Sequence, residues 1–127
     1  MIIDSSAIVA VLNMEHDASR FRDAIYDADV VRLSAVGYVE VSALLDKRGL
    51  GSDLDRFLGW CNAEIDPVTP GQARIARRAY ERYGRGSGHP ARLNYGDCFP
   101  YALAVERGEP LLFKGNDFVH TDVMVAL

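Results

Sequence analysis

Four acidic residues stand at the end of, or within, apolar segments of the chain, where an isolated carboxylate is costly to desolvate. They are Asp4, Glu40, Asp97 and Asp117. Carboxylates that converge without a compensating Lys or Arg repel one another, and some of them protonate. A hard divalent cation such as Mg²⁺ or Mn²⁺ removes this repulsion because it prefers oxygen ligands. Sites of this kind commonly act on phosphate esters, so the four residues predict metal-dependent phosphate chemistry.

Each of the four acids also has an ordinary structural explanation. Asp4 is placed to cap a helix that begins at Ser5, and Asp97 would lie in the first turn of a helix, where the helix dipole favours a negative charge. Asp117 falls in a turn, which is a common position for aspartate. Glu40 lies either near the buried face of an apolar helix or at an edge of that face that reaches solvent. Taken singly, none of these residues identifies a site.

The segments that would position these acids alternate between strand and helix. The predicted strands are residues 1–3, 30–33, 65–68, 110–113 and 123–127. The predicted helices are residues 5–12, 17–28, 34–49, 52–61, 70–83 and 94–107. Such alternation without hairpins predicts an α/β fold, with three α/β/α layers around a mainly parallel sheet of four to five short strands. We expect a single domain over residues 1–127, in which Asp4 and Asp117 follow strands that end at the same edge of the sheet.

A basic segment is the second unusual feature of the chain. Residues 71–94 carry six Arg and one Glu, whereas the remainder of the chain has a charge balance of −9. Helical spacing places four arginines on one face: Arg74, Arg78, Arg82 and Arg85. Arg92 and Lys114 would extend this basic rim, and the opposite face would consist of Ala73, Ala76, Ala79, Tyr80 and Tyr83. The stripe is either an ordinary solvated face or a surface that holds the phosphate backbone of RNA.

Composition narrows the class of protein further. The chain has a net charge of −4 and no run of 18 apolar residues, so neither a membrane span nor a simple coating of phosphates is expected. No signal peptide is predicted, because no basic region followed by an apolar one begins the sequence. Cys61 and Cys98 form no disulfide or zinc pattern and are predicted to be buried, reduced thiols of a cytoplasmic protein. His16 and His89 are predicted to be surface residues with no role as a catalytic acid or base.

Four motifs follow one another along the chain: Ile2-Ile3-Asp4-Ser5-Ser6-Ala7, Val39-Glu40, Asn94-Tyr95-Gly96-Asp97-Cys98 and Leu111-Leu112-Phe113-Lys114-Gly115-Asn116-Asp117-Phe118. Together they resemble the PIN-domain family, and in particular the VapC-type ribonuclease toxins of bacterial, notably mycobacterial, toxin–antitoxin pairs. The resemblance spans the whole chain. It implies a parallel α/β/α fold and an endoribonuclease that depends on Mg²⁺ or Mn²⁺. Such an enzyme would hydrolyse RNA phosphodiester bonds with metal-activated water and leave 5′-phosphate and 3′-hydroxyl ends.

The same resemblance implies a role for individual residues. Asp4 and Asp97 would be the metal ligands, and Glu40 would complete the site directly or through water. Ser6 would position Asp4 or a water molecule of the site.

The fourth acid of the family pattern is ambiguous in register. Asp117 is the candidate, and the neighbouring Asn116 is the alternative. A further departure from the family pattern is Pro100, which removes a helical amide close behind Asp97. The helix there either begins late or is bent.

The resemblance also implies partners. The substrate would be a structured RNA such as transfer or ribosomal RNA, and a cognate antitoxin would block the acidic site. The resemblance further implies that the chain forms a homodimer, which would assemble with the antitoxin into a heterotetramer or a larger complex. No membrane partner is expected.

Two other functions stay open. A non-catalytic RNA-binding or regulatory PIN-like domain would keep the fold without cleaving RNA. A small Mg²⁺-dependent phosphatase or a phosphorelay receiver would have a similar sheet, but the Asp-x-Asp loop of one phosphatase class is absent, because Asp4-Ser5-Ser6 follows the first strand.

Overall fold

The computed structural model describes all 127 residues and contains four strands and six helices. In chain order these are β1 (Ile2–Ile3), α1 (Ser5–Leu12), α2 (Ala18–Tyr26), β2 (Arg32–Ser34), α3 (Ala35–Lys47), α4 (Gly51–Trp60), β3 (Glu64–Asp66), α5 (Pro70–Tyr83), α6 (Cys98–Arg107) and β4 (Leu111–Leu112). The strands form one sheet in the order β3-β2-β1-β4, and every pair is parallel. The predicted α/β class with four short parallel strands is therefore confirmed. None of the helices is long and apolar enough to cross a membrane.

The sheet separates two apolar layers, and consecutive residues of β1 face opposite ones. Ile2 packs with residues of α5 and α6, whereas Ile3 packs with residues of α1 to α4. This division follows from the alternation of side chains along a strand. Burying each of these isoleucines stabilises the fold by about 1.5–3 kcal/mol. Because helices cover both faces of β1, the residue that follows it, Asp4, emerges from the centre of a three-layer fold.

The predicted fifth strand at residues 123–127 is wrong. Only one isolated parallel bridge forms there, between Leu111 and Val125. The Leu111 amide donates to the Met124 carbonyl at 2.8 Å, and the Ala126 amide donates to the Leu111 carbonyl at 3.0 Å. The terminal segment therefore contacts the sheet edge at β4 without forming a fifth strand.

Helix α5 begins as predicted, and part of the face opposite its arginines is buried. The Thr69 hydroxyl accepts a hydrogen bond from the Gln72 amide at 3.1 Å, and Pro70 occupies the first helical position. Ala76, Ala79 and Tyr83 are buried, whereas Ala73 and Tyr80 are exposed. Of the five residues predicted on the face opposite the arginines, three are therefore buried and two are exposed.

An ion-pair network joins the amino ends of β2 and β3 to the segment before β4. The Arg32 guanidinium contacts Glu64, lies 3.7 Å from Asp66 and donates to Glu109 at 3.0 Å. Asp66 is buried and also pairs with Arg107 of α6 at 2.5 Å. A buried carboxylate without a partner would lower the stability of the fold. These pairs satisfy Asp66 and hold two strands and a helix in register.

Candidate metal centre at the carboxyl edge of the sheet

Asp4 is a buried carboxylate without a cationic partner. Only 6% of its surface is exposed. Its Oδ2 accepts hydrogen bonds from the Ser6 amide at 2.9 Å and from the Ser6 hydroxyl, so Asp4 does cap α1. Burial raises the pKa of Asp4 above its usual value, although the Ser6 hydrogen bonds lower it, and the charge of Asp117 raises it further. The cap thus satisfies part of this carboxylate and leaves its charge uncompensated.

Ser6 links Asp4 to the neighbouring strand. While its hydroxyl donates to Asp4, it accepts a hydrogen bond from the backbone amide of Lys114 at 3.0 Å. Lys114 follows the end of β4, so this one hydroxyl ties the carboxyl ends of β1 and β4 together. The position suggested for Ser6 by the family resemblance, beside the first aspartate, is the position it occupies.

Asp97 is held by a reciprocal pair of hydrogen bonds with Asn94. The Asn94 amide donates to Asp97 Oδ2 at 2.7 Å, and the Asp97 amide donates to Asn94 Oδ1 at 3.0 Å. This reciprocal pairing has the pattern of a capping box, but here it closes the turn before α6, in which the two residues three apart satisfy each other's amides. Sequence reasoning did not single out Asn94, although the spacing Asn-x-x-Asp before an apolar helix is the signal for it.

The proline behind Asp97 is accommodated by a late helix start. Helix α6 begins at Cys98, so Pro100 is its third residue, where the amide of an α-helix has no partner within the helix. Of the two alternatives, late start or bend, the late start is therefore observed. The predicted start at Asn94 is wrong by four residues, because the segment from Tyr95 to Asp97 is a turn.

The pKa of Asp97 is raised to about 6. Burial is the largest cause, and the Asn94 amide opposes it. The charges of Asp4, Asp117 and Glu40 raise the pKa further. Carboxylates of three other segments are therefore close enough to destabilise the charge on Asp97.

Glu40 lies at the solvent edge of α3 rather than on its buried face. The residue is exposed, and its neighbour Val39 is 64% exposed. Its carboxylate nevertheless lies over the turn before α6, since a Cβ built on Gly96 would be 2.8 Å from Glu40 Oε1. Burial and the charge of Asp4 both raise the pKa of Glu40. The sequence left two positions open for Glu40, near the buried face of α3 or at its solvent edge. Glu40 lies at the solvent edge, and that edge faces the other acids.

Asp117 and Asn116 lie on the opposite side of the acids, after β4. Both are exposed and line one cavity of about 360 Å³ with Arg85, Arg92 and His120. The charge of Asp117 contributes to the raised pKa values of Asp4 and Asp97, so its carboxylate lies near both. Asn116 is neutral, so this coupling does not compare the two residues. His120 was not singled out from the sequence, where an isolated histidine near the end of the chain carries no signal.

The donors in this region suit a hard divalent cation. Every polar group described around Asp4 and Asp97 is an oxygen or a backbone amide, and no Lys or Arg pairs with either residue. No three His, Cys, Asp or Glu side chains are already arranged as ready ligands of one ion. Two aspartates with raised pKa values and no paired cation suit a divalent cation, which one or two carboxylates would hold together with water.

Ser34 is a further buried residue at this edge of the sheet. It is fully buried at the end of β2, and its hydroxyl has no hydrogen-bond partner. Continuing the pairing of Ile2 with Arg32 by two residues places Ser34 beside Asp4. The sequence predicted Ser34 only as the start of α3, and the structure shows no side-chain cap there.

The predicted basic rim is divided among separate surfaces. Arg78 and Arg82 line a cavity beside Tyr101 and Val105, which contains none of the four acids. Arg82 also lies 3.5 Å from Asp122. Arg74 is exposed without an ion pair on the same helix.

Two arginines and the lysine of the predicted rim lie elsewhere. Arg85 and Arg92 share the cavity of Asp117. The Lys114 ammonium is engaged, since it donates to Asp17 at 2.8 Å and to Glu15. Lys114 therefore adds no unpaired cation to the basic rim, and the prediction that it extends this rim is wrong.

The three-layer parallel fold with an acidic carboxyl edge is that of a PIN domain. A family model described as PIN domain matches residues 1–124, and the chain belongs to this family. It is similar to Ribonuclease VapC28 of Mycobacterium tuberculosis, with 52% identity over all of this chain and 98% of that protein. Ribonuclease VapC42 of the same species is 46% identical over 99% of this chain and 98% of its own length.

A solved structure supports the same fold. A chain of a toxin–antitoxin complex from Klebsiella pneumoniae superposes with a TM-score of 0.77 and covers 98% of this chain and 94% of its own length. Its sequence identity is 15%, so this likeness concerns the fold alone. The fold and family predicted from the four sequence motifs are confirmed.

Proposed function

We propose that this chain is a metal-dependent endoribonuclease and the toxin of a type II toxin–antitoxin pair. The observation that carries the proposal is the buried Asp4, which has no cationic partner, beside Asp97, whose pKa is raised by burial and by the charges of Asp4, Asp117 and Glu40. Carboxylates without a compensating cation are costly to bury, and pKa values perturbed in this way are typical of functional sites. The 52% identity to Ribonuclease VapC28 supports the same function. The activity would reside in one domain that spans residues 1–127.

Asp4 and Asp97 would hold Mg²⁺ or Mn²⁺, because they are the two least exposed of the four acids. Ser6 and Asn94 orient these carboxylates through the hydrogen bonds described above. Glu40 and Asp117 lie on the two sides of the pair and would accept protons and hydrogen bonds from water or from the RNA. When bound, the cation would supply charge for the scissile phosphate and lower the pKa of water.

The cavity beside Asp117 is the surface that we assign to the RNA backbone. Arg85, Arg92 and His120 line it, and neither arginine is engaged in an ion pair. Arg92 adopts a left-handed backbone conformation, with φ of 51°, which is uncommon for a residue other than Gly and is found at binding sites. The exposed Arg74, Arg78 and Arg82 would form a more distant rim.

The names of the relatives and of the structural neighbour support a proposal about partners. Because relatives are named VapC ribonucleases and the structural neighbour is a toxin–antitoxin complex, we assign this chain a protein antitoxin that covers the acidic edge. A homodimer that assembles with the antitoxin into a heterotetramer or larger complex, in the cytoplasm, completes the proposal. Transfer or ribosomal RNA is the proposed substrate class.

Cleavage of RNA with and without metal tests the proposed activity. The parent is incubated with total transfer RNA and with ribosomal RNA in Mg²⁺, in Mn²⁺ and in EDTA, beside Asp4→Asn and Asp97→Asn. Asp55→Asn is the matched control, since Asp55 is an exposed acid of α4. We expect cleavage by the parent and the control only, and only with metal. Cleavage that persists in both site variants, or in EDTA, would show that the acids are not the catalytic centre.

Salt dependence of RNA binding tests the backbone surface. Arg85→Gln combined with Arg92→Gln removes two cations next to Asp117, and Arg74→Gln combined with Arg78→Gln removes two from the distant rim. Each lost phosphate contact should reduce the slope of log K against log salt by about 0.7 for single-stranded RNA. We expect a smaller slope for the first pair, and equal slopes for both pairs would contradict the assignment.

A further inference from the structure

An open apolar groove adjoins the turn that carries Asp97. It has a volume of about 360 Å³ and lies between α5 and the start of α6. Tyr80, Tyr95 and Phe99 supply its aromatic lining, and Arg77 stands at its rim. The volume lies within the range of sites that accept small ligands. None of the roles discussed above uses this groove.

Tyr95 is the most exposed aromatic residue of the groove lining. It is 72% exposed, and its ring meets the Phe99 ring at a centroid distance of 5.1 Å and an angle of 71°. This edge contact orients the Tyr95 ring while most of its surface remains in solvent. An aromatic ring held in place at the surface is available to stack against a planar ligand.

The charge of the groove favours an anion with apolar, planar parts. Arg77 is exposed and has no ion pair, and no acidic residue lines the groove. Unpaired RNA presents this combination, because each nucleotide carries a flat base and a phosphate. Proteins recognise unpaired RNA by stacking bases on aromatic side chains beside basic groups.

The groove has a fixed relation to the acidic centre. Tyr95 precedes Asp97 by two residues, Phe99 follows it by two, and the Asn94 capping box holds the turn between them. A base stacked on Tyr95 would therefore belong to a nucleotide adjacent to the phosphate at the acids.

We propose that Tyr95 and Phe99 form a stacking platform for one unpaired base next to the bond that is cleaved, with Arg77 on the phosphate of that nucleotide. This inference rests on the proposed ribonuclease function and adds a determinant of substrate choice to it. The platform selects RNA in which the nucleotide at this position is unpaired, as it is in a loop. A stacked base also fixes the register of the strand over the carboxylates.

Binding measurements with two polyanions test the platform. The parent, Tyr95→Leu and Tyr95→Phe are titrated in Ca²⁺ into a fluorescein-labelled single-stranded RNA of about twelve nucleotides, within the site sizes of single-strand binders. Labelled inorganic polyphosphate of matched length serves as the anion without bases. Tyr26→Leu is the control, because Tyr26 is 80% exposed on α2 and outside the groove. Melting temperatures verify that all variants are folded.

Tyr95→Leu should weaken RNA binding about 5- to 150-fold, the range for loss of one base–aromatic stack, and leave polyphosphate binding unchanged. Tyr95→Phe and Tyr26→Leu should bind RNA like the parent. Equal losses for RNA and polyphosphate, or unchanged RNA binding by Tyr95→Leu, would overturn the platform.

The test also separates this proposal from the function on which it rests. If Tyr95→Leu binds RNA normally but loses dimerisation or antitoxin binding, the groove is a protein interface and the base platform is refuted. A parent that cleaves RNA, beside a Tyr95→Leu variant that binds it equally well, refutes the platform alone. A parent that neither binds nor cleaves RNA refutes both proposals.

Discussion

Replacing Asp97 by Asn should stabilise the metal-free protein and at the same time remove its capacity for metal-dependent cleavage. Burial and three neighbouring acids raise the pKa of Asp97 from 3.8 to about 6. A difference of this size between the pKa values of the unfolded and folded states lowers the stability of the ionised protein by about 3 kcal/mol. Partial exposure of Asp97 reduces this loss to about 2 kcal/mol. Asparagine retains an oxygen that can accept from the Asn94 amide. The expected gain in melting temperature is about 5–10 °C for a domain of this length.

The pH dependence of this gain has a defined sign. Because the folded-state pKa of Asp97 is raised, proton uptake by Asp97 stabilises the fold fully below the unfolded pKa of about 4. That contribution is lost as the pH rises through about 6. The difference in stability between Asp97→Asn and the parent should therefore be near zero at pH 4 and reach its maximum above about pH 7.

Thermal unfolding followed by circular dichroism in EDTA from pH 4 to 8 measures this difference. Asp55→Asn controls for the general effect of losing one negative charge, since Asp55 lies exposed on α4. Mn²⁺ should then stabilise the parent, by about 2.7 kcal/mol at a hundredfold excess over its dissociation constant, and leave Asp97→Asn almost unchanged. A stability difference that does not vary with pH, or a variant that is less stable than the parent at pH 8, would refute the reasoning.

Three other substitutions probe the supports of the fold and the site. Arg32→Met should lower the free energy of unfolding, measured in urea, by about 3 kcal/mol, because it removes the guanidinium that joins the strand ends. A loss below about 0.5 kcal/mol would show that the ion-pair network contributes little to stability. Gly96→Ala should lower the cleavage rate with little change in melting temperature, since the new methyl group would displace the Glu40 carboxylate; an unchanged rate would remove Glu40 from the site. Ser6→Ala should weaken Mn²⁺ binding measured by calorimetry about 10- to 100-fold, because Asp4 loses the hydroxyl that orients it; equal affinity would contradict that role.

Much of the fold could be predicted from local pattern. The alternation of short apolar segments with amphipathic ones predicted a parallel α/β sheet, and the strands before Asp4 and Lys114 are where the pattern places them. The predicted strand at the end of the chain is wrong, because this segment forms a single bridge, from Val125 to Leu111, and local pattern does not show how a segment pairs with a distant strand. Periodicity predicted Tyr80 on the face of α5 opposite the arginines, but periodicity does not show how much of that face the neighbouring elements cover, and Tyr80 is 43% exposed.

The sequence by itself determined which residues could do chemistry, and only the tertiary structure decided how they are arranged. Asp4 and Asp97 could be identified because a carboxylate beside a buried segment is unusual in any fold. The reach of Glu40 across to Gly96, the separation of Arg85 from Arg78 and the pairing of Lys114 all depend on contacts between distant segments. Residue type and spacing report local preference. Burial and charge coupling arise only when the helices pack on the sheet and bring four carboxylates close enough for their charges to interact.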